Sequence, residues 1–332
     1  MRRVALMICS AALFALLLAP QTPVLSDGGF LPENDWKIPV DSKDAKGLTQ
    51  AQFNQVLDGI AAVYRPIIQA RGGVMEINRK WDDPTVNAST SRIGNRYIFN
   101  MYGGLARHAA ITQDGFALVM CHELGHQLGG VPKYGGYNSW ASNEGQSDYF
   151  ANLKCLRKVF ASGMSLSFTR PALDADPLAA KVCASQFSGS EREACVRGAM
   201  AGLSVGTLFQ ALHGDSVAPR FDTPDPKVVA SMMDSHPPTQ CRVDTYFQGS
   251  ICAKPASQDV SDSSVDAGTC TRSQNFKLGL RPRCWYKPPA SEPAYPAADA
   301  ARFGAPASDS AEALAKSGAF QSLSQAGLWQ GL

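Results

Sequence analysis

The chain has 332 residues, of which 45% are apolar and 18% are charged, as in an ordinary globular protein with a sizeable core. Its formal net charge is +2, and both excess charges lie at the start of the chain, at Arg2 and Arg3. Without residues 1–26 the chain carries 29 basic and 29 acidic side chains. A neutral chain lacks the electrostatic pattern of a protein that binds nucleic acid or an anionic membrane.

The first 26 residues have the three parts of a secretory signal peptide. Arg2 and Arg3 form the basic start, Val4–Ala19 is apolar, and Val24 and Ser26 are small residues at the −3 and −1 positions of a cleavage site. A membrane anchor is the alternative, but about 16 apolar residues are few for a span, and no basic stop-transfer segment follows. We therefore expect cleavage, no stable membrane insertion, and a periplasmic or secreted protein.

Cysteine usage agrees with export. Eight cysteines follow the predicted signal peptide, and an even number behind such a signal predicts disulfides in an oxidising compartment. Eight cysteines allow 105 connectivities, so the count alone selects none of them. The eight are Cys121, Cys155, Cys183, Cys195, Cys241, Cys252, Cys270 and Cys284.

The first elements along the chain are a helix and two strands. Thr49 and Gln52 fit a capping box that opens a helix, and Gly72 follows the last apolar residue at helical spacing. Residues 74–81 are predicted to form a strand, and Tyr97–Tyr102 forms a second strand that is rich in aromatic residues.

The rest of the chain is predicted to be mostly helical. Helices are expected at about 112–128, from a cap near Ser139 to about residue 160, at about 190–212, and as a shorter segment after Asp225-Pro226. Beyond residue 287 the composition is rich in Pro, Ala and Ser, which predicts a flexible tail over 288–332. The sum is a mostly helical α+β domain over 27–287, with one small sheet.

The motif His-Glu-Leu-Gly-His spans residues 122–126, within a predicted helix. Residues four apart share a helix face, so the imidazoles of His122 and His126 can bind one metal ion. Glu123 points about 100° away from His122 around the helix, where it can reach a metal-bound water without binding the metal. Zinc lowers the pKa of such a water to about 7, and Glu123 can then take its proton as a general base.

A catalytic zinc site needs three protein ligands and an open position, and a candidate for the third ligand follows 18 residues after His126. The sequence Asn-Glu-Gly-Gln-Ser-Asp spans residues 143–148, and its Glu144 is the predicted ligand. Asp148, one turn further along the same helix face, is predicted to accept a hydrogen bond from a zinc-binding imidazole. Acids at a helix start or on a surface are the ordinary alternatives, and the joint spacing behind the histidines favours the metal site.

These motifs together resemble the gluzincin metallopeptidases, and more closely the HtpX and CAAX-prenyl-endopeptidase family, metallopeptidase family forty-eight. The resemblance covers roughly residues 49–250. Three further stretches match that family's pattern: Val86-Asn87-Ala88, Tyr97 to Gly104, and Ser235-His236-Pro237-Pro238-Thr239 followed by Arg242. The best-known members carry transmembrane helices and lack the Cys-rich stretch 241–284, so the likeness is to a soluble, disulfide-bonded periplasmic type.

The resemblance implies a zincin fold, one Zn²⁺ per chain and endopeptidase activity on an extended polypeptide. It also implies that the strand before the catalytic helix is the edge strand that binds substrate, with the residues Tyr97, Ile98, Phe99, Asn100 and Met101. Without the resemblance, such alternating aromatic residues would be assigned to the core. The resemblance places His236 near the open side of the metal, where it could donate to the oxyanion or cover the zinc as a temporary ligand. Arg242 could pair with an acid near the site or lie on the surface.

Cys121 and Cys155 are predicted to form a disulfide. Cys155 lies eleven residues after Glu144, close to three helical turns, so both share the face that looks toward the catalytic helix. Cys121 lies on that helix, directly before His122. A bridge between these cysteines would tie the two ligand-bearing helices together.

Two other functions compete with the zinc endopeptidase. The chain could be a protein-quality-control binding module, or chaperone-like protein, that holds unfolded chains by β-augmentation, with minor or latent proteolysis. The presence of Glu123 argues against this, because a pure binding module needs no catalytic base. A dedicated processing enzyme with a single partner is the third possibility, and the sequence does not separate it from an enzyme of general protein turnover.

Overall fold

The structure is a computed structural model, and it describes residues 29–162 and 175–293. The signal peptide predicted for residues 1–26 lies outside the described residues, as does all but the start of the predicted tail. Within the described ranges the chain forms an α+β fold with eight α-helices and one three-stranded sheet. The expectation of a mostly helical domain with one small sheet is confirmed at this level.

The helices and strands follow in this order: α1 Gln50–Ala70, β1 Val74–Lys80, β2 Ala88–Ile93, β3 Arg96–Tyr102, α2 Gly103–Arg107, α3 Gln113–Leu128, α4 Glu144–Phe150, α5 Arg157–Ala161, α6 Pro177–Gln186, α7 Gly189–His213 and α8 Thr239–Ile251. A π-helical turn, Ala151–Leu156, joins α4 to α5 without a break. Short 3-10 turns occur at Gly136–Asn138 and Arg272–Gln274.

The first helix begins and ends where the sequence predicts. The side chain of Thr49 accepts a hydrogen bond from the backbone of Gln52, and the side chain of Gln52 accepts one from Thr49, which completes the capping box. Gly72 follows the helix with a φ of 74°, a conformation that glycine adopts without steric cost. The apolar face of α1 packs against β1 and α3.

The sheet has the strand order β1-β3-β2, with β1 parallel and β2 antiparallel to β3. The substrate-strand prediction for residues 97–101 is therefore wrong: they lie in the central strand, whose backbone groups already pair on both sides. The edge strand beside α3 is β2, where Gln127 at the end of α3 donates to the Thr90 hydroxyl and the Ser91 carbonyl. Three consecutive buried residues in β3, Tyr97–Phe99, are typical of a strand covered on both faces.

Helix α3 is the centre of the molecule, and every one of its residues is buried. It packs against α1, α4 and α7, while α7 also packs along α8. By length and composition α7 could cross a membrane, but half of its most apolar stretch is buried inside the protein, as in many core helices. Helix α3 is thus surrounded by protein along its whole length.

Two helix predictions are wrong, one in its starting residue and one in the existence of the helix. The helix expected to begin near Ser139 begins at Glu144 instead, because the side chain of Asn143 accepts from the Gln146 N–H and caps it. The helix expected after Pro226 is absent, and residues 224–238 form no helix or strand. The next helix, α8, begins only after Pro238, where proline occupies the position before the first helical residue.

Four disulfides join all eight predicted cysteines: Cys121–Cys155, Cys183–Cys195, Cys241–Cys284 and Cys252–Cys270. The predicted pairing of Cys121 with Cys155 is confirmed, with 5.5 Å between the Cα atoms. It ties α3 to the π-helical turn after α4. Four bridges within one chain indicate an oxidising, extracellular-type environment.

Candidate metal centre

Helix α3 carries two imidazoles and one carboxylate in its C-terminal half. His122 and His126 are one turn apart, with ring centroids separated by 4.6 Å and ring planes nearly perpendicular. Each ring is fixed from behind through Nδ1: that of His122 donates to the Asp148 carboxylate over 2.7 Å, and that of His126 donates to the Ser142 carbonyl over 2.8 Å. These bonds leave both Nε2 atoms as the free ligand atoms.

The third ligand comes from the first turn of α4. Glu144 Oε2 lies 3.3 Å from His122 Nε2, and its Oε1 lies 3.4 Å from His126 Nε2. The two helices approach this closely because α3 has a glycine at the contact: a Cβ on Gly125 would lie 2.7 Å from the Cα of Ser147. The Gly within the motif is therefore needed for the helix crossing that delivers Glu144.

These three groups fit a metal ion. The candidate ligand atoms of His122, His126 and Glu144 all lie within 4.8 Å of one another, and all three residues are buried. His122 Nε2 and Glu144 Oε2 have no hydrogen-bond partner although they are shielded from water, a costly arrangement unless a cation satisfies them. Ligands at about 2.0–2.1 Å around a tetrahedral ion lie roughly 3.3 Å apart, which matches the distances observed.

A second cluster of potential ligand atoms, formed by Asp225, Cys241 and Cys284, does not fit a metal in the same way. Its two cysteines are bonded to each other, so they offer no thiolate. The metal site that the described residues support is therefore the His-His-Glu cluster.

Electrostatics at the cluster favour a bound cation. Burial lowers the pKa of His126 to about 4, which keeps this imidazole in the neutral form that binds metals. Burial also disfavours the charged form of His122, but the carboxylates of Asp148 and Glu144 outweigh it and raise the pKa to about 9. The negative surroundings that hold a proton on this ring would hold a metal cation at the same place.

Glu123 lies beside the cluster and outside the ligand set. Its side chain is fully buried, and neither carboxylate oxygen has a hydrogen-bond partner. Burial raises its pKa to about 8, and a dication bound next to it would lower that value again. A buried carboxylate with free lone pairs can accept a proton from a molecule bound at the metal.

Asp148 holds the cluster together through a buried network. Its carboxylate accepts from His122 at 2.7 Å, from the Arg242 guanidinium through two bonds of 2.8 Å, and from the Tyr246 hydroxyl at 2.6 Å. The predicted contact between Asp148 and a ligand imidazole is present. Arg242 is 1% exposed, which excludes the surface alternative. Sequence reasoning missed Tyr246, which lies one helical turn after Arg242 on α8, a spacing that could have suggested it.

His236 lies at the rim of the cluster, as the resemblance implied. Its Nε2 is 3.4 Å from Glu144 Oε2 and donates to the carbonyl of Gly29 over 2.9 Å. Its side chain is 11% exposed, in a stretch without helix or strand before Pro237. Sequence reasoning missed that Gly29, far away along the chain, shares this site.

Comparisons with family models, with curated proteins and with solved structures found no match to this chain. The geometry of the cluster, with its three converging ligand atoms and an adjacent buried carboxylate, is therefore the basis on which a function can be assigned.

Proposed function

We propose that the protein is a zinc-dependent endopeptidase of the gluzincin type, with one Zn²⁺ per chain. The observation that carries the proposal is the convergence of His122, His126 and Glu144, with the unpartnered carboxylate of Glu123 beside them. Two imidazole nitrogens and one carboxylate oxygen suit zinc. Structural zinc sites have four protein ligands, whereas catalytic sites have three and keep a position for water or substrate.

The roles of the chain's own groups follow from their positions. Zinc bound here would supply a Lewis acid that polarises a water molecule and the substrate carbonyl. Glu123 would accept a proton from the attacking water and deliver it to the leaving amine nitrogen. His236 would donate a hydrogen bond to the substrate carbonyl oxygen as negative charge develops on it.

The surrounding network would keep the ligands in place. Asp148 and the Ser142 carbonyl hold the two imidazoles in the tautomer whose Nε2 is free. Arg242 donates to both carboxylate oxygens of Asp148, so the carboxylate that orients His122 is itself fixed in position. Rigid ligands place the reacting groups without reorganisation during the reaction.

We infer a polypeptide substrate from the position of β2. This strand lies at the sheet edge beside α3; no strand of residues 29–162 or 175–293 pairs with its outer side, where the Phe30 N–H donates to the carbonyl of its first residue, Ala88. An extended peptide could add to such an edge through backbone hydrogen bonds. The four disulfides support a periplasmic or secreted protein, in keeping with the predicted signal peptide.

The metal and the base can be tested separately. Glu123→Gln should retain one zinc per chain by elemental analysis and lose peptide hydrolysis, because Glu123 is not a ligand. Glu144→Ala should lose both zinc and hydrolysis. Cleavages in a denatured protein mixture, mapped by mass spectrometry for each variant, provide the activity measurement. A folded Glu144→Ala protein that keeps its zinc would refute the ligand assignment.

His236 is tested by its own substitution. If it donates to the developing oxyanion, His236→Ala should keep zinc and fold but lose about 10²–10³-fold in kcat, the effect of removing one such donor. A residue that blocks the zinc would give the opposite result, a more active variant. An unchanged kcat with a peptide substrate, at equal zinc content, would reject both roles.

The binding-module alternative has a different outcome in the same experiments. A protein that only holds extended chains would bind a denatured substrate equally well as wild type and as Glu123→Gln, and would cleave it in neither form. Cleavage that depends on Glu123 separates the two functions.

A further inference from the structure

Residues 29–31 pack against the candidate metal centre. Phe30 is fully buried, and its ring packs edge-on against the His122 ring at a centroid distance of 5.0 Å. The ring also contacts Phe209 at 5.4 Å, and the Arg242 guanidinium lies 4.9 Å from its centre. A large apolar side chain thus fills a pocket whose walls include a metal ligand.

The backbone of this stretch pairs with the chain that leads into the edge strand β2. The Phe30 N–H donates to the Ala88 carbonyl over 2.8 Å, and the Leu31 N–H donates to the Asn87 side chain over 2.9 Å. The Asn87 amide in turn donates to the Leu31 carbonyl. After an irregular segment, the chain lies antiparallel to the same region again at the isolated bridge between Lys37 and Thr85. One backbone hydrogen bond to the first residue of β2 and the contacts of Asn87 thus hold residues 29–31 at the start of the edge strand, where an added peptide would begin to pair.

The carbonyls of Gly29 and of Phe30 both accept hydrogen bonds from residues of the site. The Gly29 carbonyl accepts from His236 Nε2 at 2.9 Å, and that same Nε2 is 3.4 Å from the ligand oxygen of Glu144. The Phe30 carbonyl accepts from Arg242 Nη1 at 3.0 Å. The Gly29 carbonyl therefore lies where the reactive carbonyl of a substrate would have to lie if His236 is the oxyanion donor.

Only glycine fits at the position before Phe30. Gly29 has a φ of 107°, and a Cβ placed there would be 2.2 Å from the Ala88 carbonyl oxygen. Any side chain at this position would push the stretch away from β2. The fit therefore depends on this one residue and can be removed by changing it.

We propose that residues 29–31 act as a built-in pseudosubstrate that occupies the peptide-binding groove of the metal centre. Their contacts also define the substrate class: a peptide that binds at the start of β2, with a large apolar residue directly after the carbonyl that His236 contacts. A peptide in trans must displace residues 29–31 before it can bind. That the groove binds substrate rests on the proposed function. That residues 29–31 occupy the groove is tested by peptide binding, without any measurement of hydrolysis.

The probe is a synthetic peptide with the sequence of residues 27–33 and a fluorophore at its carboxyl end. Its binding is measured by fluorescence anisotropy to zinc-loaded full-length protein carrying Glu123→Gln, which prevents hydrolysis. Adding Gly29→Val should raise the affinity at least about tenfold, because the native stretch no longer competes. The matched control is Gly94→Val, which also changes a glycine of positive φ, 59°, but has no atom within 4 Å of the new Cβ. It should bind like the parent.

A second pair of variants tests the proposal even if Gly29→Val does not fold. Phe30→Ala empties the pocket and should also raise peptide affinity, whereas Phe53→Ala, at an equally buried phenylalanine packed on Phe116, should not. Replacing the peptide's own Phe by Ala should abolish the gain. Equal affinity for the parent, the control and the groove variants would overturn the proposal.

The outcomes also separate this inference from the proposed function. Tighter peptide binding by Gly29→Val without hydrolysis when Glu123 is restored would keep the pseudosubstrate and reject the endopeptidase. Hydrolysis of the same peptide at equal rates by wild type and Gly29→Val would keep the endopeptidase and reject the pseudosubstrate.

Discussion

The two ligand-bearing helices and the chain after α8 are stabilised in different ways. Helices α3 and α4 are wholly buried, and the His122 ring of α3 is bonded to the Asp148 carboxylate of α4 beside the candidate metal site. Residues 252–293, here named the C-terminal layer, have no regular structure apart from one 3-10 turn and an isolated bridge. The disulfide Cys241–Cys284 anchors this layer to α8, and Cys252–Cys270 closes a loop within it. Disulfides there stabilise a backbone that has almost no regular helix or strand hydrogen bonding.

The two regions meet at the helix that carries Glu144. The Trp285 ring lies so close to α4 that a Cβ on Gly145 would be 2.2 Å from it. Arg281 donates to the Gln146 side chain over 2.7 Å and to the carbonyls of Val131 and Val265. An irregular layer can therefore support a ligand helix when its own backbone is held by cross-links. We expect the first region to be sensitive to loss of charge and the second to loss of covalent bonds.

The largest effect is expected for a charge removed at the metal cluster. Asp148→Asn removes the bidentate counter-ion of the buried Arg242 guanidinium and leaves only the Glu144 carboxylate, 3.8 Å away, so the free energy of unfolding should fall by about 3–5 kcal/mol. Zinc affinity should fall about 10–100-fold, because Asp148 orients His122. Urea unfolding and chelator competition measure the two quantities.

The same substitution in the C-terminal layer is the control. Asp266 is partly exposed and accepts from the Ser273 hydroxyl over 2.7 Å, so Asp266→Asn should cost less than about 1 kcal/mol. Equal losses at Asp266 and Asp148 would contradict the contrast between the two regions.

Intermediate effects are expected for the disulfides. Cys121 and Cys155 are 34 residues apart, and the chain-entropy model gives about 4 kcal/mol for their bridge. Cys252 and Cys270 are 18 apart, and the same model gives about 3 kcal/mol. Double Cys→Ala variants, followed by thermal unfolding, test this order.

The two disulfides should also differ in which part of the protein is destabilised when each is removed. Losing the Cys252–Cys270 bridge should expose the C-terminal layer to limited proteolysis while zinc is retained. Losing the Cys121–Cys155 bridge should weaken zinc binding, because α3 and the helix of Glu144 are no longer joined. Proteolysis at the same sites in both variants would show that the regions do not respond independently.

The smallest effect is expected for the polar contact between the regions. Arg281→Met leaves the Gln146 side chain without this donor, and should cost about 1–3 kcal/mol in urea unfolding with no change in zinc content. Arg220→Met is the matched control, because Arg220 is 62% exposed and pairs with Asp222 at the surface. Solvent screens an exposed pair of this kind, so this variant should unfold like the parent.

Several local features could be predicted from the sequence because their cause is local. The capping box of Thr49 and Gln52 and the shared face of His122 and His126 depend only on helix geometry over a few residues. Glu144 and the bridge from Cys121 required one further assumption, that the next helix packs on the first. Helix packing at Gly125 confirms that assumption.

Other features depend on residues far apart in the chain, and no local pattern contains them. The strand order placed Tyr97–Phe99 at the centre and β2 at the edge, because β1 and β2 pair with opposite sides of β3. The helix expected after Pro226 did not form, because propensity over a few residues is weak against tertiary contacts.

What the sequence by itself determined is the set of groups at the site: two imidazoles and two carboxylates, at spacings from which helix geometry predicts which of them share a face. What only the tertiary structure decided is which distant groups surround them. Arg242 pairs with Asp148 from 94 residues away, and His236 contacts Gly29 from 207 residues away. Burial drives such contacts, since a buried charge or carbonyl must find a partner wherever the fold brings one within reach.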